Sequence, residues 1–224
     1  MIEENVKNLL ESIPEHNSQG EKITLVAAIK TQTVENINRA IRAGIRDIGD
    51  NHAQEFRDKN DSILPEARRH FIGHLQTNKL KYLIGKVGLY QSIDRLEIAK
   101  ALSEKSQKAG ITSEILLQLN IGNEESKSGF DPDDAERAYL EVSALKNLKI
   151  TGLMAMLPES DDEALLRSLA TRMRETYDNL NAKYGGFVHL SMGMSGDWKL
   201  CVECGSNMIR LGTAIFGPRH YDRF

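Results

Sequence analysis

The strongest constraint on the fold is an alternation that runs the length of the chain. Short apolar runs rich in Ile, Val, Leu and Met alternate with longer segments whose apolar residues recur every three or four positions. A first amphipathic segment, 3–13, reads as a helix. Strands are then expected at 23–29, 47–49, 69–72, 89–92, 113–120, 149–156, 188–192 and 208–216. Helices are expected at 34–43, from about residue 53, at 78–84, 95–108, 131–145, 162–184 and 197–204. Gly110 and the pair Gly185-Gly186 close two of them as C-terminal caps. Asp131-Pro132 opens another, with Asp as the N-cap and Pro in the first turn.

Strands alternating with helices argue for a parallel sheet covered by helices. Eight units in a chain of 224 residues reach the lower size limit of a (β/α)8 barrel. An open doubly wound sheet is the competing architecture. It usually has fewer strands, and no G-x-G-x-x-G follows the first one here. The expectation is therefore a single (β/α)8 TIM barrel over residues 1–224, with an extra N-terminal helix.

Composition narrows the function. Lys plus Arg number 29 against 32 Asp plus Glu, a formal charge of −3, so nothing favours a polyanion such as nucleic acid. No run reaches the length of a membrane span, and the start MIEENVKNLLESI is acidic rather than signal-like. The expected setting is cytoplasmic. The two cysteines, Cys201 and Cys204, form a lone C-x-x-C without the further ligands that a zinc site needs, and no metal site is expected.

In a barrel, chemistry gathers where the strands end. Lys30 ends the first strand, Gly49-Asp50-Asn51 the second, and Met154 and Met156 the sixth. The segment GMSG (193–196) follows the seventh and RLGT (210–213) ends the eighth. Glycines admit a backbone close to an anion, and Ser or Thr adds a hydroxyl. Ser195 is also expected to cap the helix that starts near Asp197. The two loops together read as a phosphate cradle, in the position this fold commonly uses for one. Lys30 on the same rim is then either a charge partner for the phosphate or an imine-forming amine.

The motifs AAIKTQ, GDNHAQE, HFIGHLQTNK, SIDR, NEESKSGF, GLMAM, LSMGMSGDW and IRLGTAIFGPR, in that order, resemble the pyridoxal 5′-phosphate homeostasis proteins. These are single-domain relatives of the barrel domain of alanine racemase. Ala28-Ile29 stands where that family commonly has Val-Ser, and Asp50 where it has Glu. The resemblance implies that Lys30 carries pyridoxal phosphate as an internal aldimine. It implies that Ser195, Gly212 and Thr213 hold the phosphate with Asn51 nearby, that Arg210 faces the pyridine nitrogen, and that Met154 or Met156 lines the ring.

An arginine there disfavours pyridine protonation and weakens the ring as an electron sink. No counterpart of the racemase's second domain, which supplies a catalytic tyrosine, is expected after strand eight. The expectation is a monomeric carrier that buffers the cofactor or hands it to apo-enzymes, with no catalytic residue assigned. A weak amino-acid racemase or decarboxylase is the alternative, and a cofactor-free barrel enzyme using Lys30 as a Schiff base is a third. Lys127 in NEESKSGF is a candidate to exchange the cofactor with Lys30.

Overall fold

A computed structural model describes residues 1–124 and 127–218. Glu125 and Ser126 of the NEESKSGF loop, Arg219 of the last motif, and the last tyrosine, Tyr221, lie outside the described residues.

Eight parallel strands close on themselves in chain order. They are β1 (Thr24–Ala28), β2 (Asp47–Asp50), β3 (Arg68–Phe71), β4 (Leu89–Ile93), β5 (Ser113–Leu119), β6 (Leu148–Ala155), β7 (His189–Ser191) and β8 (Met208–Leu211). The ring is sealed by β1 against β8, with Val26 opposite Arg210. The closed barrel is the expected one, and the open sheet is excluded.

The helices are α1 (Ile2–Ser12), α2 (Val34–Arg42), α3 (Ala53–Lys59), α4 (Leu96–Lys108), α5 (Ala135–Ser143), α6 (Glu163–Tyr184), α7 (Trp198–Glu203) and α8 (Thr213–Phe216). Two of them start on a capping side chain. Thr33 caps α2 by accepting from the Asn36 N–H. Asp162 caps α6 by accepting from the Leu165 N–H.

Four expected elements need correction. The eighth strand, read as 208–216, stops at Leu211, and residues 213–216 turn into α8. Apolar TAIF has no pattern that distinguishes strand from helix at that length. Between β3 and β4 the connection is a 3-10 segment, Thr77–Tyr82, rather than an α-helix. Asp131 caps a 3-10 turn, Pro132–Asp134, and α5 begins only at Ala135. Finally, Ser195 does not cap α7; Asp197 takes the N-cap position.

Two apolar layers result. Val26, Leu89, Leu116, Met154 and Met208 fill the barrel interior. Larger clusters pack strands against helices, one centred on Phe71, Tyr90, Leu102 and Tyr177, the other on α1, α2 and β8. β6 carries a bulge. Ile150 pairs with Ile115 but Gly152 pairs with Leu116, which leaves Thr151 as the extra residue.

Candidate functional site

The cleft opens at the C-terminal ends of β1, β2 and β8, with an internal volume of about 190 Å³. Lys30, Asn51, Ser195, Arg210, Gly212 and Thr213 all line it. Of the two methionines proposed for the ring, Met156 lines this cleft. Met154 is fully buried in the barrel interior, because the bulge in β6 sets it among Val26 and Met208.

Lys30 follows β1 directly. The Ile29 N–H donates to the Gly49 carbonyl at 3.0 Å, which carries the β1–β2 ladder up to the lysine. The next residue, Thr31, sits at φ 66, a left-handed conformation that is costly for a β-branched side chain. It is held there by charge. The Thr31 N–H donates to Glu55 Oε2 at 3.1 Å, and Lys59 Nζ donates to the same oxygen and to the Gln32 carbonyl, both at 2.8 Å. Thus α3 clamps the turn that aims Lys30. Lys30 itself is half-buried, and its amine has no hydrogen-bond or ionic partner among the described residues.

Asn51 is placed by a tight backbone crossing. A Cβ on Gly73 would stand 2.0 Å from the Asn51 carbonyl oxygen, so only glycine lets the segment after β3 pass there. Ser92 Oγ secures that segment by donating to the Gly73 carbonyl at 2.5 Å.

Gly193 (φ 105) turns the chain out of β7, and the Met194 N–H donates to Asp197 Oδ1 at 2.6 Å. The N–H groups of Ser195, Gly196, Thr213 and Ala214 donate to no other described residue. With the Ser195 and Thr213 hydroxyls they form a set of unpaired donors flanking the cleft mouth. Such a set suits an anion with several oxygens.

Arg210 lies at the floor and is 5% exposed. Its Nη1 donates to Ser191 Oγ at 2.6 Å and its Nη2 to the Ala155 carbonyl at 2.9 Å. Burial pushes its pKa down to about 10, with Cys201 and Asp197 opposing, so it stays a cation at neutral pH.

Other sequence candidates fall outside this cleft. Lys127 Nζ is tied to Glu124 Oε1 at 3.1 Å and to the Leu157 carbonyl at 3.0 Å. His74 pairs with Asp94 at 3.1 Å, while His70 is buried inside the barrel. Cys201 is buried, with its thiol pushed up by desolvation, and Cys204 is half-buried; both are free. Among the described residues no group of three or more His, Cys, Asp or Glu could hold a metal, and no helix is long and apolar enough to cross a membrane. Sequence reasoning missed Thr31, Glu55 and Lys59. Glu55 and Lys59 at i and i+4 are a visible helix-surface pair, but nothing in their spacing points to a strained turn on a different strand.

The family model described as the alanine racemase N-terminal domain matches residues 2–220. The chain therefore belongs to the alanine racemase N-terminal domain family. A protein of Aquifex aeolicus named pyridoxal phosphate homeostasis protein is 36% identical over 224 residues, 97% of this chain and 98% of that one. The Escherichia coli K12 protein of the same name is 35% identical over 207 residues, 91% of this chain and 88% of its own. Within the larger family the chain belongs with these pyridoxal phosphate homeostasis proteins.

Solved structures agree. PipY of Synechococcus elongatus, with PLP bound, superposes with a TM-score of 0.85 at 29% identity, covering 97% of this chain and all (100%) of PipY. An alanine racemase of Clostridium difficile matches in fold alone, at 16% identity and a TM-score of 0.74. It covers 99% of this chain but only 56% of the racemase.

Proposed function

We propose that this protein holds pyridoxal 5′-phosphate in the cleft, joined covalently to the Lys30 amine, and serves intracellular homeostasis of the cofactor by buffering it or delivering it to apo-enzymes. The observation that carries this reading is the cleft itself. An unpartnered lysine amine, a buried arginine and the unpaired N–H and hydroxyl donors of Ser195 and Thr213 line one opening. Relatives bearing the homeostasis name, and PipY with PLP bound, support it.

When bound, the cofactor supplies an aldehyde that condenses with primary amines and a ring that withdraws electrons. The residues present suit it. Lys30 offers the amine. Ser195, Thr213 and the neighbouring backbone N–H groups offer hydrogen bonds to a phosphate. Arg210 presents a cation at the floor, the side on which a pyridine nitrogen would lie. Asn51 and Met156 bound the remaining sides.

Among the described lining residues, Lys30 and Arg210 are the sole titratable side chains. Proton transfer at a substrate α-carbon on the face away from Lys30 would need a second acid or base. This composition favours holding over turnover.

The experiment is direct. Protein purified from cofactor-replete cells is reduced with borohydride, and the modified peptide is located by mass spectrometry. Label on Lys30, lost in Lys30→Ala together with the visible absorbance, is the expected result. A colourless protein that takes up no pyridoxal phosphate would overturn the reading. Incubation with amino acids in D2O is expected to give α-proton exchange no faster than free cofactor; faster exchange would favour the racemase alternative. Sedimentation is expected to give a monomer.

A further inference from the structure

The barrel interior contains a hydrogen-bonded chain that an apolar core would not need. Arg210 Nη1 donates to Ser191 Oγ at 2.6 Å, and Ser191 Oγ donates to Gln91 Oε1 at 2.6 Å. Gln91 Nε2 faces His70 Nδ1 at 2.9 Å, and His70 Nε2 faces Asp47 Oδ1 at 2.8 Å. Five side chains from β8, β7, β4, β3 and β2 are thus joined in series. Arg210 stands at the cleft. Asp47 is the first residue of β2, at the opposite mouth, where its side chain is partly exposed. Ser191, Gln91 and His70 are fully buried.

We propose that Asp47, His70, Gln91 and Ser191 act as one positioning relay that fixes the Arg210 guanidinium at the floor of the cleft. The argument is donor and acceptor accounting. Arginine can only donate, so Ser191 Oγ accepts from it and must send its own proton elsewhere. Gln91 Oε1 receives that proton, which fixes the amide with Nε2 towards His70. A second Nε2 proton points to Met208 Sδ at 3.2 Å. His70 Nδ1 must then be an acceptor, so its proton sits on Nε2 and goes to Asp47.

All four bonds donate in the same sense, away from Arg210 and towards the carboxylate. Only this assignment satisfies every atom. Among the described residues, the one buried side-chain polar atom left without a partner is Tyr90 Oη, which is not part of the chain. Arg210 has no carboxylate in direct contact, so its bond to Ser191, together with that of Nη2 to the Ala155 carbonyl, is what orients it. The neutral imidazole that the chain requires agrees with its burial, which pulls the His70 pKa down against the pull of Asp47. Arg68 beside Asp47 adds to the disfavouring of a charged His70, and burial keeps the neighbouring His189 on β7 neutral, with its pKa lowered to about 4.

The first test needs no cofactor. Long-range proton–nitrogen NMR of the ligand-free protein at neutral pH is expected to show His70 as the neutral Nε2–H tautomer. An Nδ1–H tautomer or an imidazolium would overturn the relay. Ser191→Ala does not touch His70, yet it releases the Gln91 amide and is expected to mix the His70 tautomers, while Ser191→Thr retains the single form. Asp47→Asn keeps an acceptor and is expected to keep the tautomer, and Asp47→Ala is expected to lose it. An unchanged His70 spectrum in Ser191→Ala would sink the proposal.

The second test rests on the function proposed above. Titration with pyridoxal phosphate is expected to give a dissociation constant raised about three- to tenfold in Ser191→Ala and Gln91→Leu, and restored in Ser191→Thr. Equal affinity in all four proteins would overturn the positioning role. If the wild-type protein takes up no pyridoxal phosphate, the proposed function fails while the tautomer measurements still decide the relay.

Discussion

Asp50 is 3% exposed, and its carboxyl, which keeps a narrow opening to solvent, forms no hydrogen bond with another described residue. Side chains alternate along β2. Asp47 faces the barrel interior and the Gly49 position abuts Val26 and Ile72, so Asp50 points outward under α3, towards Lys59, Glu55 and Arg69. Burial raises its pKa from 3.8 to about 7, only partly opposed by Lys59. A raised carboxyl pKa means that the folded state holds the proton more tightly. The stability this contributes is complete below 3.8 and is lost as pH rises through 7. Urea unfolding at a series of pH values is expected to show a loss of up to about 4 kcal/mol across that window. In Asp50→Asn that slope should flatten, and an unchanged slope would assign it elsewhere.

A second residue-scale prediction concerns the strained turn. Glu55→Ala frees the Thr31 N–H and Lys59, so Lys30 should lose its fixed aim. Absorbance titration is expected to show pyridoxal phosphate affinity falling about three- to tenfold, a part of the roughly 1.5–3 kcal/mol that one hydrogen bond to a charged group is worth. Lys30 itself was legible as a lysine ending an apolar run. The outward turn of Asp50 was not, since a short strand buried on both faces shows no alternation to read.

Among the elements, β6 shows how much one glycine can decide. Gly152 has φ 153, and a Cβ there would stand 1.8 Å from the His189 carbonyl oxygen, across the β6–β7 joint. Gly152→Ala is expected to cost about 3 kcal/mol or more, because the obstacle is backbone that cannot swing aside. Chemical denaturation would measure it, and a change below about 1 kcal/mol would show that the joint adapts. The strand was legible in sequence as KITGLMAM, but its bulge was not. Met154 and Met156 are two residues apart and share a face of the strand whatever its register, so the sequence could not tell that one lies in the barrel interior and the other at the cleft.

Of the element ends read from caps, the end of α6 at Gly185, with φ 70, matches, while the Asp162 cap at its start appears only in the structure. Asp162→Ala should cost about 1 kcal/mol in the same experiment, with the cleft unaffected. The end of β8 was misread for a different reason: TAIF is too short and too uniformly apolar to separate strand from helix, and the chain turns into α8 at Thr213.

At the scale of the whole molecule, the two ends of the described chain meet behind the cleft. Helix α1 packs on α2 and α8, burying Ile2, Val6 and Leu9 beside Ile37, Ile41 and Ile215. Asn5 Nδ2 donates to the Ile215 carbonyl at 3.0 Å. The N-terminal helix expected from sequence is therefore a brace for the segment that carries Thr213. Asn5→Ala is expected to weaken pyridoxal phosphate binding modestly, by about two- to fivefold, while costing about 1 kcal/mol of stability. The eightfold repeat of strand and helix made this architecture legible at a distance. The brace was not legible, because its partners are more than 200 positions apart, |i−j| = 210 for that hydrogen bond.

The β7–β8 joint is the thinnest in the ring, with Ser191 opposite Met208 as its one register pair. Ser195 and Thr213 stand on either side of that seam, and Lys30 lies beyond it on β1. A molecule held by all three would staple both the β7–β8 joint and the β8–β1 joint. Pairing β1 with β8 closes the longest loop in the chain, a slow and entropically costly step in assembly. Under the proposed function, a newly made chain could not grip the cofactor until the ring is shut, and the bound cofactor would oppose reopening by mass action. Hydrogen exchange should register this as slower opening of β7 and β8 in the loaded protein, with the far side of the barrel unchanged.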